Sequence, residues 1–224
     1  MLLGQQRNAA STTLREKALA TTIQEFVAER GINALFHFTR ARNLDSILAR
    51  GLVPRNILHR EGFDGFNDQY RIDATDAVCL SIGFPNYKMF YGIQKDHEGE
   101  TWVILVIHPQ ALWDLDCAFC IANAASNGVT AIPLAQRKTL VAMQAMYADW
   151  PGKPRAELNI PDNYPTNPQA EVLALQGVPR RYIMAVITLN EAVRKELMDK
   201  FPGVDIRALA GYFRYRRDYA HWKA

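Results

Sequence analysis

Cysteine is scarce in this chain, with three in 224 residues at Cys79, Cys117 and Cys120. So few, and an odd number, cannot staple a domain of this length, which suits a reducing compartment without disulfides. Apolar runs are short: none reaches the ~18 residues that a bilayer span needs. The opening MLLGQQRNAASTTLREK also lacks the basic-then-apolar order of a secretory signal. The expectation is a soluble, cytoplasmic protein with no membrane partner. Charge of one sign is nearly absent as well, the formal net charge being +3, well short of the excess that marks a dedicated nucleic-acid binder. Neither the glycine pattern of a Rossmann turn nor that of a P-loop occurs, which removes two common ways of holding a nucleotide. Cys117-Ala-Phe-Cys120 has a zinc-like spacing, but no second Cys or His pair follows to complete four ligands, and no metal is expected.

What is present is a composition of 49% hydrophobic and 22% charged residues, enough apolar material for the core of one α+β domain. The charge surplus is local. Between residues 205 and 224, Arg207, Arg214, Arg216, Arg217 and Lys223 face only Asp205 and Asp218, a balance equal to the whole excess. That end suits phosphate contact and suits a solvated surface strand equally.

Periodicity places a helix at 13–30, with Thr13 and Glu16 at capping-box spacing, Leu19, Ile23, Phe26 and Val27 on one face, and Gly31 as its stop. A strand at 34–38 leads into a helix that Asn43 caps and Gly51 ends, with Leu44, Ile47 and Leu48 inward. The polar stretch 55–75 is long for a connection and is a candidate binding loop. Strands at 77–82 and 101–107 bracket a helical turn at 86–93, and a helix follows at 139–147. Residues 150–169 form a second long loop, stiffened by prolines at 151, 154, 161, 165 and 168. Strands at 170–175 and 182–187, a helix at 190–200 and a strand at 204–208 complete the chain.

Three polar positions interrupt apolar strands. His37 and Thr39 flank Phe38 and leave one face together. Glu171 heads an apolar strand directly after the proline-rich loop, where a carboxylate must be solvated, paired or functional. Arg71 lies between Asp68 and Asp73, just before the 77–82 strand. Each also has an ordinary structural reading, as a satisfied core histidine, an edge carboxylate or a local ion pair.

Their combination is more specific. Phe36-His-Phe-Thr39, Asn43-Leu-Asp-Ser-Ile-Leu-Ala-Arg-Gly-Leu52, Pro85-Asn-Tyr-Lys-Met-Phe-Tyr91 and Asn167-Pro-Gln-Ala-Glu-Val-Leu173 occur in the order seen in the DarT family of DNA ADP-ribosyltransferase toxins, which the chain resembles over residues 34–190. The resemblance implies an ADP-ribosyltransferase-like split antiparallel β core with surrounding helices, spanning 32–224, with 1–31 as an accessory helix. It implies NAD⁺ as cosubstrate without a metal, and Glu171 and Arg71 as catalytic residues. Beside Arg71, His37, Thr39, Asn43, Ser81, Phe84, Phe90 and Tyr91 would hold the dinucleotide. The acceptor would be a base of single-stranded DNA, guanine or thymine, with the wording around Tyr70 and Tyr87 closer to the guanine branch. The enzyme would act as a monomer, opposed by an antitoxin with ADP-ribosyl hydrolase activity of macrodomain or NADAR type. Lys153 and Arg155 are placed to meet DNA phosphates, and Trp150 and Tyr164 to stack on unpaired bases. Transfer to RNA or protein, and nucleic-acid binding without catalysis, are the competing readings.

Overall fold

The computed structural model describes residues 20–63 and 75–223. In chain order the elements are α1 (Ile23–Arg30), β1 (Leu35–Arg40), α2 (Leu44–Arg50), α3 (Arg55–Arg60), β2 (Val78–Ile82), α4 (Tyr87–Asp96), β3 (Trp102–Ile107), α5 (Ala111–Asp114), β4 (Cys117–Cys120), α6 (Asn127–Thr130), α7 (Leu134–Arg137), α8 (Leu140–Ala145), β5 (Glu171–Ala174), β6 (Ile183–Thr188), α9 (Glu191–Lys200) and β7 (Ile206–Ala208). The strands form one sheet in the order β4-β5-β2-β1-β3-β6-β7, antiparallel throughout except for β6 with β7.

The centre of this sheet forks. β1 pairs along its whole length with β3, from Leu35 to Arg40, but meets β2 at only two positions, Leu35 with Ile82 and Phe36 with Ser81. Beyond Phe36 the two strands part: Val78, Cys79 and Leu80 pair with β5 instead. This is the split antiparallel core of an ADP-ribosyltransferase, one half being β4-β5-β2 and the other β1-β3-β6-β7.

Alternation distributes the core. Leu35, Leu80, Ile82, Val103, Leu105, Ile107, Val172 and Val186 share the main core under one face. Phe36, Phe90, Trp102, Ile104 and Ile187 form a second cluster, and Ala77, Ala118, Cys120 and Leu173 a third. The apolar strands β1 and β3 thus feed both faces, as strands buried on two sides do.

Local chemistry accounts for most ends, with shifts from the sequence expectation. The first helix starts at Ile23 rather than near residue 13. Thr22 accepts from the Glu25 amide while the Glu25 carboxylate accepts from the Thr22 amide, a complete capping box further along the chain. The expected cap at Thr13 and Glu16 lies outside the described residues. Gly31 ends α1 in the left-handed region, as expected. Phe26 and Val27 then enter the main core, and Phe26 meets Tyr147 edge-on at 5.3 Å.

Two further corrections concern loops. Residues 55–60, expected as the start of an irregular stretch, are helical as α3. The strand β4 has no counterpart in the sequence reading. Its four residues are uniformly buried, so no alternation betrays it, and it is recruited by pairing with β5, Cys120 opposite Glu171. Cys117 and Cys120, an odd number apart on a strand, face opposite sides and cannot converge on one ion.

Candidate active site

The fork produces a cleft. Its lining includes His37, Thr39 and Asn43 from the β1–α2 segment, Val78, Cys79 and Ser81 from β2, Asn86 and Met89 at the start of α4, Ile47, Leu52 and Leu58 from the facing helices, and Glu171 at the head of β5. His37 and Thr39 belong with Leu35 on one sheet face, whereas Ser81 and Glu171 belong to the other. They share one cleft because β1 and β2 separate there.

His37 is partly buried, with Nδ1 2.9 Å from the Cys79 carbonyl oxygen. The carbonyl can only accept, so Nδ1 carries the proton in this bond. This bond spans the two diverging strands and sets the ring plane. Thr39 is buried, and its hydroxyl accepts from the Asn43 amide at 3.0 Å. Asn43 was expected to cap α2. Its own backbone is helical, without the extended geometry a cap needs, and its side chain makes no cap bond, while its Nδ2 donates to Thr39.

Glu171 is 4% exposed. One carboxylate oxygen accepts the Ala124 N–H at 2.8 Å, and the other accepts from Asn86 Nδ2 at 3.3 Å. Two donors from opposite sides hold the carboxylate plane and satisfy part of its charge, which is what allows a carboxylate to be buried. Asn86 does three jobs. Its side-chain oxygen caps α4 by accepting from the Met89 amide, its N–H donates to Ser81 Oγ at 3.1 Å, and its amide nitrogen reaches Glu171. The sequence reading passed over Asn86 as a site residue. Its available signal was local: an Asn before a helix at cap spacing.

The other expected residues are distributed differently. Phe90, 1% exposed, is packed between Phe38, Trp102 and Phe213 in the second core cluster, behind the lining residue Phe38 and not itself part of the lining. Tyr91, the next residue on α4, is 72% exposed and is likewise outside that lining. Helical geometry turns consecutive residues about 100° apart, so one faces the core and the other solvent. Phe84 packs against Tyr164 and Tyr212 instead of the cleft. The aromatic lining comes from Phe36, Phe38 and Phe63. Arg71 lies outside the described residues.

The 150–169 loop is irregular as expected, apart from one helical turn, Arg155–Leu158. Its cations are already engaged. Arg155 donates to Thr166 Oγ1 and to the carbonyls of Pro161 and Asp162, and lies over the Tyr147 ring. Burial holds its pKa below the ordinary arginine value, with the Arg30 charge acting the same way. It organises the loop from inside. Lys153 sits over the Trp222 ring at 5.4 Å, and Trp150 meets the same ring edge-on. Tyr164 packs on Phe84 and closes over Gly83. Gly83 has φ +73°, and a Cβ there would collide with the Tyr164 ring.

A split antiparallel sheet whose fork brings histidine, threonine and a buried, oriented glutamate into one cleft is the arrangement expected of the ADP-ribosyltransferase fold. The family model described as DarT, ssDNA thymidine ADP-ribosyltransferase, matches residues 36–214, and the chain belongs to that family. Among curated proteins nothing matches the sequence. Solved structures with the same fold include Thermosipho africanus DarTG in complex with ADP-ribose, at 18% identity and TM-score 0.55 over 81% of this chain and 51% of that one. The chain therefore spans about half the length of that relative. Thermus sp. 2.9 DarT in complex with NAD⁺ aligns at 18% identity and TM-score 0.51 over 81% of this chain and 98% of its own. The same protein in complex with ADP-ribosylated ssDNA aligns at 18% identity and TM-score 0.52 over 82% and 97%.

Proposed function

We propose that this protein breaks the nicotinamide–ribose bond of NAD⁺ and transfers the ADP-ribosyl group to a base of single-stranded DNA, as the toxin of a bacterial toxin–antitoxin pair. The observation that carries this reading is the Glu171 carboxylate, buried at the cleft and held by Ala124 and Asn86. The cleft's chemistry fits the dinucleotide. Its walls are mostly apolar, with polar groups at His37, Thr39, Asn43, Ser81 and Glu171.

In the reaction the C1–N bond to nicotinamide breaks and neutral nicotinamide leaves with the bonding electron pair. Positive charge builds on the ribose as it does in glycoside cleavage, and a fixed carboxylate is worth most at that point. Glu171 orients the sugar by accepting from a ribose hydroxyl. It then takes the proton released when a base nitrogen forms the new bond to C1, a contribution of typically ~10²–10⁴-fold. His37 and the Thr39–Asn43 pair supply polar groups for the ribose and amide of the dinucleotide. Arg71 is assigned by resemblance to the pyrophosphate or reacting nucleotide, where a guanidinium suits paired oxygens.

The family description names thymidine as acceptor, while the local wording around Tyr87 leans to guanine. Intact-mass analysis of single-stranded oligonucleotides lacking either base, incubated with NAD⁺, decides between them. A product heavier by one ADP-ribose on DNA is expected, removable by a macrodomain or NADAR hydrolase that serves as antitoxin. Unmodified DNA in every sequence, with label passing to RNA or protein, would overturn the reading.

A further inference from the structure

The charge surplus of the C-terminal segment resolves into two cancelled pairs and three remaining cations. Arg207 pairs with Asp205. Arg216, 4% exposed, pairs with Asp218, 1% exposed, and also donates to the carbonyls of Pro165 and Thr166 at 2.9 Å each. Trp222 Nε1 closes the group by donating to Asp218 at 2.7 Å. The segment's basic side chains left outside are Arg214, Arg217 and Lys223, all exposed. Among the described residues none of the three has an ion-pair partner, and Asp218, the one carboxylate after Asp205, is buried.

These cations flank two aromatic residues along the chain, Tyr215 and Tyr219, which form a platform. Tyr215, 64% exposed, stacks on Tyr219 with ring centroids 4.5 Å apart. Tyr219 meets Tyr87 of α4 edge-on at 6.0 Å, and Lys223 lies 5.1 Å from its ring. Tyr91, on the same face of α4 one turn beyond Tyr87, is the other large exposed aromatic among the described residues. Lys88 of the same helix donates to the Trp222 carbonyl at 2.8 Å.

The platform is tied to the catalytic loop. Arg216 holds Pro165 and Thr166, a few residues before Glu171, and its guanidinium lies 5.8 Å from the Tyr164 ring. Burial pushes the Tyr164 phenol above its ordinary value, Tyr212 acting in the same direction and the Arg216 and Arg217 charges opposing it.

We propose that Tyr215 and Tyr219, with Arg214, Arg217 and Lys223, form a binding subsite for single-stranded DNA that takes nucleotides flanking the base presented to Glu171. An exposed ring accepts an unpaired base by stacking whatever its identity, and the three uncompensated cations follow the phosphates. Asp218 is buried under Arg216, and Asp205 is paired on the surface with Arg207, so neither acid faces the backbone uncompensated. The assignment rests on the ADP-ribosyltransferase reading above for its choice of DNA.

The test uses the full chain and a fluorescein-labelled single-stranded DNA longer than about 16 nucleotides, followed by anisotropy across a salt series. Tyr215→Ser is expected to weaken binding roughly 5- to 150-fold, and Tyr215→Phe, which keeps the ring, to bind as the wild type does. The combined Arg214→Ala, Arg217→Ala and Lys223→Ala variant is expected to lower the slope of log K against log salt by about 2, from three lost phosphate contacts. All variants should bind NAD⁺ with wild-type affinity by calorimetry, since none of these residues lines the cleft. Wild-type DNA affinity and slope in the variants would overturn the subsite, as would tighter binding of RNA or duplex. Mass analysis separates the two readings: loss of the subsite with DNA still modified leaves the transferase reading intact, while binding without any modified DNA counts against that reading alone.

Discussion

Glu171 is held by an N–H on each carboxylate oxygen, and this decides what its substitutions should do. Glu171→Gln replaces one acceptor with an NH₂ group that must face either the Ala124 N–H or the Asn86 amide. A donor-to-donor contact results, costing ~1–3 kcal/mol of stability. Transfer to DNA should fall by ~10²–10⁴-fold, read by product mass, with the circular-dichroism spectrum retained. Wild-type transfer by this variant would remove Glu171 from the mechanism.

Asn86 is a positioning residue, acting through Glu171. Asn86→Ala frees one carboxylate oxygen and uncaps α4, and a misplaced carboxylate should lower the transfer rate by ~10²-fold with little change in NAD⁺ affinity. Asn86→Asp provides the sharper test. A second carboxylate beside Glu171 disfavours ionisation of the pair, so the activity profile should move to higher pH. A purely structural Asn86 would lower folded protein without moving that profile.

At the scale of elements, the loop of residues 150–169 is supported from within and from behind. Arg155 braces it internally, and Arg216 fastens Pro165 and Thr166 from the C-terminal segment. Removing one partner of a buried, hydrogen-bonded ion pair costs ~3–5 kcal/mol. Arg216→Ala should therefore lower the urea midpoint and open the loop to limited proteolysis between residues 150 and 169. Arg216→Lys should recover little, because a single ammonium cannot serve Asp218 and two carbonyls as the guanidinium does. Unchanged cleavage in both variants would show that the loop holds itself.

Elements were legible in the sequence to the extent that their causes are local. Gly31 ends α1, and the apolar runs of β1, β2, β3, β5 and β6 were each located within a few residues. What failed depended on neighbours. The strand β4 exists by pairing with β5. Asn43 donates to Thr39 without capping a helix, and Phe90 and Tyr91, both expected at the dinucleotide, are turned apart by the helix. The sequence supplied the Asn86 cap pattern without its second use, since Glu171 is distant along the chain.

For the whole molecule, burial of ionisable groups sets a pH limit. Burial pushes the Cys117 thiol up to about 12 from an ordinary value near 9, with Asp116 acting in the same direction. The Tyr87 phenol is also pushed to about 12, chiefly by burial, and Tyr147 is raised for the same reason. Each group stays neutral in the folded state longer than in the unfolded one. Their contribution is therefore full below pH 9 and is lost as pH rises from about 9 toward 12. Urea unfolding midpoints should fall across that window, and Cys117→Ala should flatten the fall. A midpoint independent of pH in the window would show that these groups are not buried.

The same three cysteines, short apolar runs and small net charge that opened the reading determined by themselves that this is a single α+β chain without a disulfide framework. The order of short motifs along it carried the family. These are properties of composition and near neighbours, so they survive without coordinates. The tertiary structure decided which polar groups meet. It placed His37 and Thr39 with Glu171 by forking the sheet between β1 and β2, assigned Asn86 to the carboxylate, took Arg216 out of solvent and left Arg155 half-buried. It also left Arg214, Arg217 and Lys223 exposed around two stacked tyrosines. Whether a charge is paired and buried or free depends on chain brought from far away in sequence, and desolvation is a property of that assembled surrounding rather than of the residue.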